Sequence, residues 1–278
     1  MKFIRRSALE AIALAVASAS LIPSNAEAQF ASTVITYNAG TGASPTHNDA
    51  ASSLGGPSRV NPFGDAVEPF NPPYHPTQLV SIGTGGSITV GFPQPVSNHA
   101  ANPFGIDFLV FGGSGFMITN AFDENFNWIG TPATDGSLFG GGDALTRVSV
   151  STDGNTFYTL EPSRAPVIES LFPTDASGNT SRPVDPSFRL SDFAGLTLDG
   201  IRQRYAGGAG GTGFDVAWAR DTSGQPAALD AIQFVRVDVL NGKIELDGFG
   251  AVHTIPEPNS WMLVLVGGAA GLLWFRRH

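Results

Sequence analysis

Glycine and proline set the limits on what this chain can fold into. They number 34 and 20 among 278 residues, below the proportion at which a chain lacks a packed structure but high enough to demand many turns. Short strands joined by Gly and Pro turns are the natural outcome. No cysteine is present, so no disulfide can staple such a fold, and its stability must come from a large hydrophobic core, which 20 Phe can supply.

The strand signals begin at Leu79. Ser87 to Phe92 alternates, with Ile88, Val90 and Phe92 on one face and Ser87, Thr89 and Gly91 on the other, the pattern of a half-buried strand. Ile106 to Phe111 is short and nearly all apolar, which predicts a central strand. Leu145 to Ser151 sets Val148 and Val150 against Arg147 and Ser149, and Asp153-Gly154 is a hairpin signal before Phe157 to Leu160. Further strands are expected at Phe214 to Ala219, Ile232 to Val239 and Ile244 to Val252, with one or two helical turns between Ser191 and Tyr205. The fold class expected is all-β, a two-sheet antiparallel sandwich over 79–254. Ahead of it, seven prolines between Asn38 and Pro76 exclude a regular helix. Residues 29–78 read as an extended Pro/Gly-rich segment packed on the domain through Phe63, Phe70 and Tyr74. So long a loop is either functional or contains short strands without periodicity.

The two ends read as addresses. Lys2, Arg5 and Arg6 precede the apolar Ser7 to Ile22, and Ala26-Glu27-Ala28 offers small residues for cleavage before Gln29, so 1–28 is expected to be a secretory signal peptide cut by signal peptidase. At the other end, Pro256, Glu257 and Pro258 precede an uncharged run from Trp261 to Phe275, then Arg276 and Arg277. A helix over about 260–275 would extend roughly 24 Å, a short membrane span, with the arginine pair on the cytoplasmic side. These last residues, 255–278, resemble the PEP-CTERM sorting signal of exopolysaccharide-producing Gram-negative bacteria. The resemblance implies recognition by an exosortase, at least transient anchoring in the membrane through the C-terminal helix, and delivery to the cell envelope or surface. It concerns address, not activity.

A second resemblance lies in the middle. Arg147 to Phe157, with its Ser151-Thr152-Asp153-Gly154 turn, and the pair Phe234 to Val239 and Glu245 to Phe249, resemble pieces of galactose-binding-like jelly rolls of the discoidin type. That likeness implies an eight-stranded jelly roll, often a carbohydrate- or surface-binding module with a structural calcium, and it points to Glu245 and Asp247 as metal ligands. Ca2+ is the one cofactor it brings into view.

Chemistry is sparse. Gly208 to Gly213 satisfies G-x-G-x-x-G but precedes a strand where a dinucleotide site needs one before it, and it reads as a flexible loop. Gly112 to Phe116 misses the nucleophile elbow by one position, leaving Ser114 as a turn residue. The five His are scattered without metal spacing. Between Gln29 and Ile255, 10 Lys plus Arg face 21 Asp plus Glu, a net of −11, the wrong sign for a nucleic-acid partner. The expected function is therefore that of an exported, non-catalytic polysaccharide-binding or structural envelope component. A secreted glycan hydrolase and a purely structural coat protein are the alternatives. Trp128 and Trp218 are the candidate ligand-binding residues, with Tyr74 and Tyr205 behind them, because sugar rings stack on exposed aromatics.

Overall fold

The computed structural model of the chain describes residues 29–141 and 144–252. The described protein is mostly β, arranged as antiparallel sheets with little helix. Six strands form the larger sheet: β1 (Thr33–Asn38), β3 (Ser87–Ser97), β7 (Leu145–Ser151), β8 (Tyr158–Leu160), β10 (Ala219–Arg220) and β11 (Ala231–Asn241), in the order β1-β3-β11-β7-β8-β10. Alternation drives it. Ile88, Val90 and Phe92 of β3, Val148 and Val150 of β7, and Val235, Val237 and Val239 of β11 all turn into one core. In β3, Pro93 and Pro95 fall where the register with β11 slips between Gly91 and Val96, so neither has to donate to the ladder.

The second sheet runs β2-β12-β4-β9, from Val80–Gly83, Lys243–Ala251, Phe108–Gly112 and Thr212–Phe214. Its inner residues, among them Val80, Ile82, Phe108, Val110, Phe214, Ile244 and Leu246, share the core of the first sheet. The apolar run expected as a central strand is β4, which starts at Phe108 and is buried on both faces: Leu109 and Phe111 pack on the far side with Ile106, Ala209 and Val252. In β12 the inward phase changes. Ile244 and Leu246 face the core, and after a bulge opposite Phe111 and Gly112 so do Phe249 and Ala251. One extra residue at Asp247–Gly248 flips the alternation and re-aims both side chains.

Two stretches depart from the sequence expectation. Phe214 to Ala219 is not one strand: β9 ends at Phe214, a 3-10 turn spans Val216–Trp218, and β10 begins at Ala219. β9 and β10 belong to different sheets, and Asp215 starts the turn between them by accepting from Ala217 N at 2.7 Å. Gly208 to Gly211 is buried, not a loose loop. Gly211 N donates to Phe172 O at 2.8 Å and Ala209 O accepts from Asp175 N at 2.9 Å. Helical turns do occur in the expected span, as a 3-10 turn at Leu190–Phe193 and a helix α1 at Leu198–Tyr205. Thr197 caps α1 by accepting from Gly200 N. These elements enclose a second core of Phe116, Phe172, Val184, Phe193, Ile201 and Tyr205, with Phe172, Phe188 and Tyr205 set edge-on to one another or to Phe193.

The proline-rich segment joins the sheets. Its strand β1 pairs with β3 at the edge of the larger sheet, and Ala50–Ser53 forms a 3-10 turn capped by Asp49. Near its start, Phe30 bridges Gly250, Ala31 N donates to Phe249 O at 3.0 Å, and Ala251 N donates to Gln29 O at 2.8 Å. The first and last described residues thus lie side by side. Among the described residues no helix is long and apolar enough to cross a membrane. The expected signal peptide and sorting helix lie outside them.

Candidate functional site

One feature projects from this body. Strands β5 (Gly115–Ile118) and β6 (Thr134–Phe139) pair only with each other, as a two-stranded sheet whose ends continue into residues 119–133. Every residue from 121 to 130 is exposed. Such a hairpin has no core to hold its tip, and short polar side chains do that work locally. The Asn120 amide donates to Ile129 O at 2.9 Å and Thr131 O at 3.1 Å while its Oδ1 accepts from Ala133 N at 2.8 Å. Asp123 Oδ1 accepts from Asn125 N at 2.8 Å and Asn127 N at 2.9 Å. The bonds from Asn127 chiefly, and that from Asn125, hold the Asp123 carboxyl below its ordinary range. At the base, Gly136 sits at φ +91° with Leu190 O only 2.2 Å from where a Cβ would stand. Only glycine lets the arm seat on the 3-10 turn Leu190–Phe193.

The arm is apolar where it is most exposed. Of the 13 large hydrophobic residues exposed among the described residues, six lie on it: Met117, Phe122, Phe126, Trp128, Ile129 and Phe139. That concentration sets it apart from ordinary scattered surface apolars. Phe122 and Trp128 face each other across the hairpin with ring centroids 3.9 Å apart and 28° between planes, and they remain 51 % and 37 % exposed. Asn120, Asp123, Asn125 and Asn127 belong to the same loop. An exposed aromatic stack on a loop that also carries amides and a carboxylate can take an apolar ring face while polar groups left over from the loop's own bonds meet hydroxyls.

The other sequence candidates fall elsewhere. Trp218 is half-buried and packs against both the main core and the Ile106–Phe111 cluster, so its ring is occupied by the protein. Tyr205 is fully buried, donates its hydroxyl to Pro173 O at 2.7 Å, and is pushed up by that burial. Tyr74 is 45 % exposed on the proline-rich segment. Ser114, in the turn between β4 and β5, is buried. Glu245 and Asp247 stand two apart on β12. Asp247 is buried and its two oxygens accept from Ser58 N and Ser58 Oγ, both at 2.7 Å. Glu245 Oε1 meets Lys243 Nζ at 2.8 Å. Both carboxylates are thus already engaged by protein donors, and no group of three or more His, Cys, Asp or Glu that could hold a metal ion occurs among the described residues.

Beside them sits a residue that sequence reasoning missed. Glu169, buried and at φ +62°, spans the end of the β4–β12 ladder: Oε1 accepts from Gly113 N at 2.6 Å and Oε2 from Glu245 N at 2.8 Å. A Cβ on Gly112 would lie 2.5 Å from its Cγ, so only glycine leaves room for this side chain. Burial drives the Glu169 carboxyl up to about 8, and burial drives Asp247 up to about 7 despite its Ser58 bonds. The one signal available was a lone acid inside the apolar run Val167 to Phe172. Pro256, Glu257, Pro258, Arg276 and Arg277 lie outside the described residues.

No protein-family model matches the chain, and no curated protein matches it either.

Proposed function

We propose that this is an exported, non-catalytic cell-surface or matrix protein that binds polysaccharide through the Phe122–Trp128 stack on the 115–139 arm. The observation that carries the reading is a preformed, exposed aromatic pair on a loop held in shape by Asn120 and Asp123. Rigid aromatics offer contact area with little ordering cost, which favours repeated weak binding along a polymer. In this reading the two packed sheets are a jelly roll of the galactose-binding-like kind, the N-terminal segment directs export, and an exosortase acts at Pro256-Glu257-Pro258.

Titration of the full chain with a panel of neutral and acidic oligosaccharides, followed by calorimetry, tests the binding. Trp128→Ala should abolish heat for at least one sugar that binds the native chain, while Trp218→Phe leaves it unchanged. Loss of no sugar in Trp128→Ala refutes the platform. Sorting is tested by replacing Pro256 to Pro258 with Ala in cells: retention of the tail and an unchanged location in both forms refutes it.

A further inference from the structure

We propose that a second site, sharing no residue with the arm's aromatic pair, binds a carboxylate-bearing sugar residue. It is the groove where the 3-10 turn Pro103–Gly105, the segment 181–188 and the end of α1 meet. The groove encloses about 530 Å³, within the range of small-molecule sites.

Its charge is opposite to that of the chain. Five cations among the described residues, Arg147, Arg202, Arg220, Arg236 and Lys243, are in ion pairs. Arg182 and Arg204 are not among them, and both line this groove. Arg59, Arg164 and Arg189 are also outside those pairs, but Arg182 and Arg204 alone among the five line this cleft, and in a chain with a net of −9 two such arginines make a local positive site in an acidic surface. The single carboxylate in the lining, Asp185, is turned to its own loop, with Oδ1 accepting from Ser187 N at 2.9 Å. Arg204 is held at the wall, its guanidinium 5.1 Å from the centre of the Phe188 ring.

The same groove is also lined by an aromatic ring kept out of the core. Phe104 is 54 % exposed and holds φ +59°, a left-handed conformation that costs a bulky residue free energy. The turn is closed around it by Gly105 N to Asn102 O at 2.9 Å and Ile106 N to Pro103 O at 3.1 Å. A strained backbone that presents an apolar ring to solvent, in one groove with two arginines and Gln203, is matched by a ligand with one flat apolar face, hydroxyls and a carboxylate. A uronic-acid residue has all three. An acidic peptide has the charge without the ring face.

The ligand class rests on the glycan reading above; the location of the site does not. Calorimetry on the full chain would use a galacturonic-acid tetramer, its methyl ester and a neutral glucose tetramer. The native chain should bind the acid form at least tenfold more tightly than the ester, with an advantage that shrinks as salt rises. The double variant Arg182→Ala/Arg204→Ala should lose that advantage while keeping its melting temperature, since both side chains are on the surface, and Arg182→Lys/Arg204→Lys should keep part of it. Equal binding of acid and ester by the native chain overturns the proposal, as does undiminished acid binding by the double Ala variant. Tighter, Arg-dependent binding of a Glu-rich peptide than of the tetramer overturns the ligand class. Trp128→Ala separates the two sites: if it is silent towards every sugar while the arginine variants are not, the arm reading fails and this one stands.

Discussion

Replacing Glu169 with Gln should flatten the pH dependence of stability between about pH 5 and pH 8. In the native chain Glu169 is held up at about 8 against an ordinary 4.5, and Asp247 at about 7 against 3.8. Each folded pKa is raised, so the folded state keeps a proton that the unfolded state has released. Their contribution to stability is fully present below the unfolded values and is lost as pH climbs through the folded ones. In that window each group lowers stability by at most about 1.4 kcal/mol per pH unit. From about pH 5.5 to 7.5 the native chain should therefore lose up to roughly 5 kcal/mol, about half of it from Glu169. The side-chain amide of the Glu169→Gln variant cannot ionise, so only the Asp247 slope remains. That amide also has one oxygen where the carboxyl has two: with the oxygen on Glu245 N, Gly113 N keeps only its 3.1 Å bond to Glu245 O and faces an NH2 group, which costs about 1–3 kcal/mol at low pH. The variant should thus be the weaker protein near pH 5, cross the native chain between about pH 5.5 and 7, and be the more stable of the two by about pH 8. Urea unfolding at half-unit pH steps, with constant m-values, measures both slopes. Parallel curves for the two proteins would refute the assignment of Glu169 as a titrating group.

Two further outcomes are expected. Arg202 donates to Asp175 Oδ2 at 2.8 Å, and the Asp175 side chain is only 2 % exposed, so Arg202→Ala leaves a buried carboxylate with only its Ser177 bonds and should cost about 1–3 kcal/mol in chemical denaturation at neutral pH; a loss below about 1 kcal/mol would show that water replaces the guanidinium. Gly136→Ala places a methyl group against Leu190 O in a backbone conformation that disfavours it, and should expose the 115–139 arm to limited proteolysis well before the sheets unfold; unchanged cleavage would show that the arm is not seated there.

The strands that were readable in the sequence are those where one face is buried and the pairing is regular. Leu145 to Ser151 and Val235 to Val239 alternate because β7 and β11 lie side by side in the larger sheet with one face on the core, whereas Ile232 falls out of phase across a register slip before Phe234. The arm was not readable. Its residues 121–130 are all exposed and belong to no core, so no periodicity marks them, and only composition singled out Trp128. Trp128 and Trp218 look alike in sequence, and what separates them is a tertiary fact: Val216–Trp218 carries the chain between sheets and through the core. Glu169 was invisible for a related reason, since its function as a ladder end depends on Gly112 and Gly113, more than fifty residues away. The change of phase in β12 likewise comes from a bulge that Asp247-Gly248 permits but does not announce.

The pairing of Phe30 with Gly250 and of Gln29 with Ala251 has a mechanical consequence. A load applied between the two described ends would act across neighbouring strand ends and not along their length. The contact would open like a zipper, one bridge at a time, and the force would reach the larger sheet only after that seam had parted.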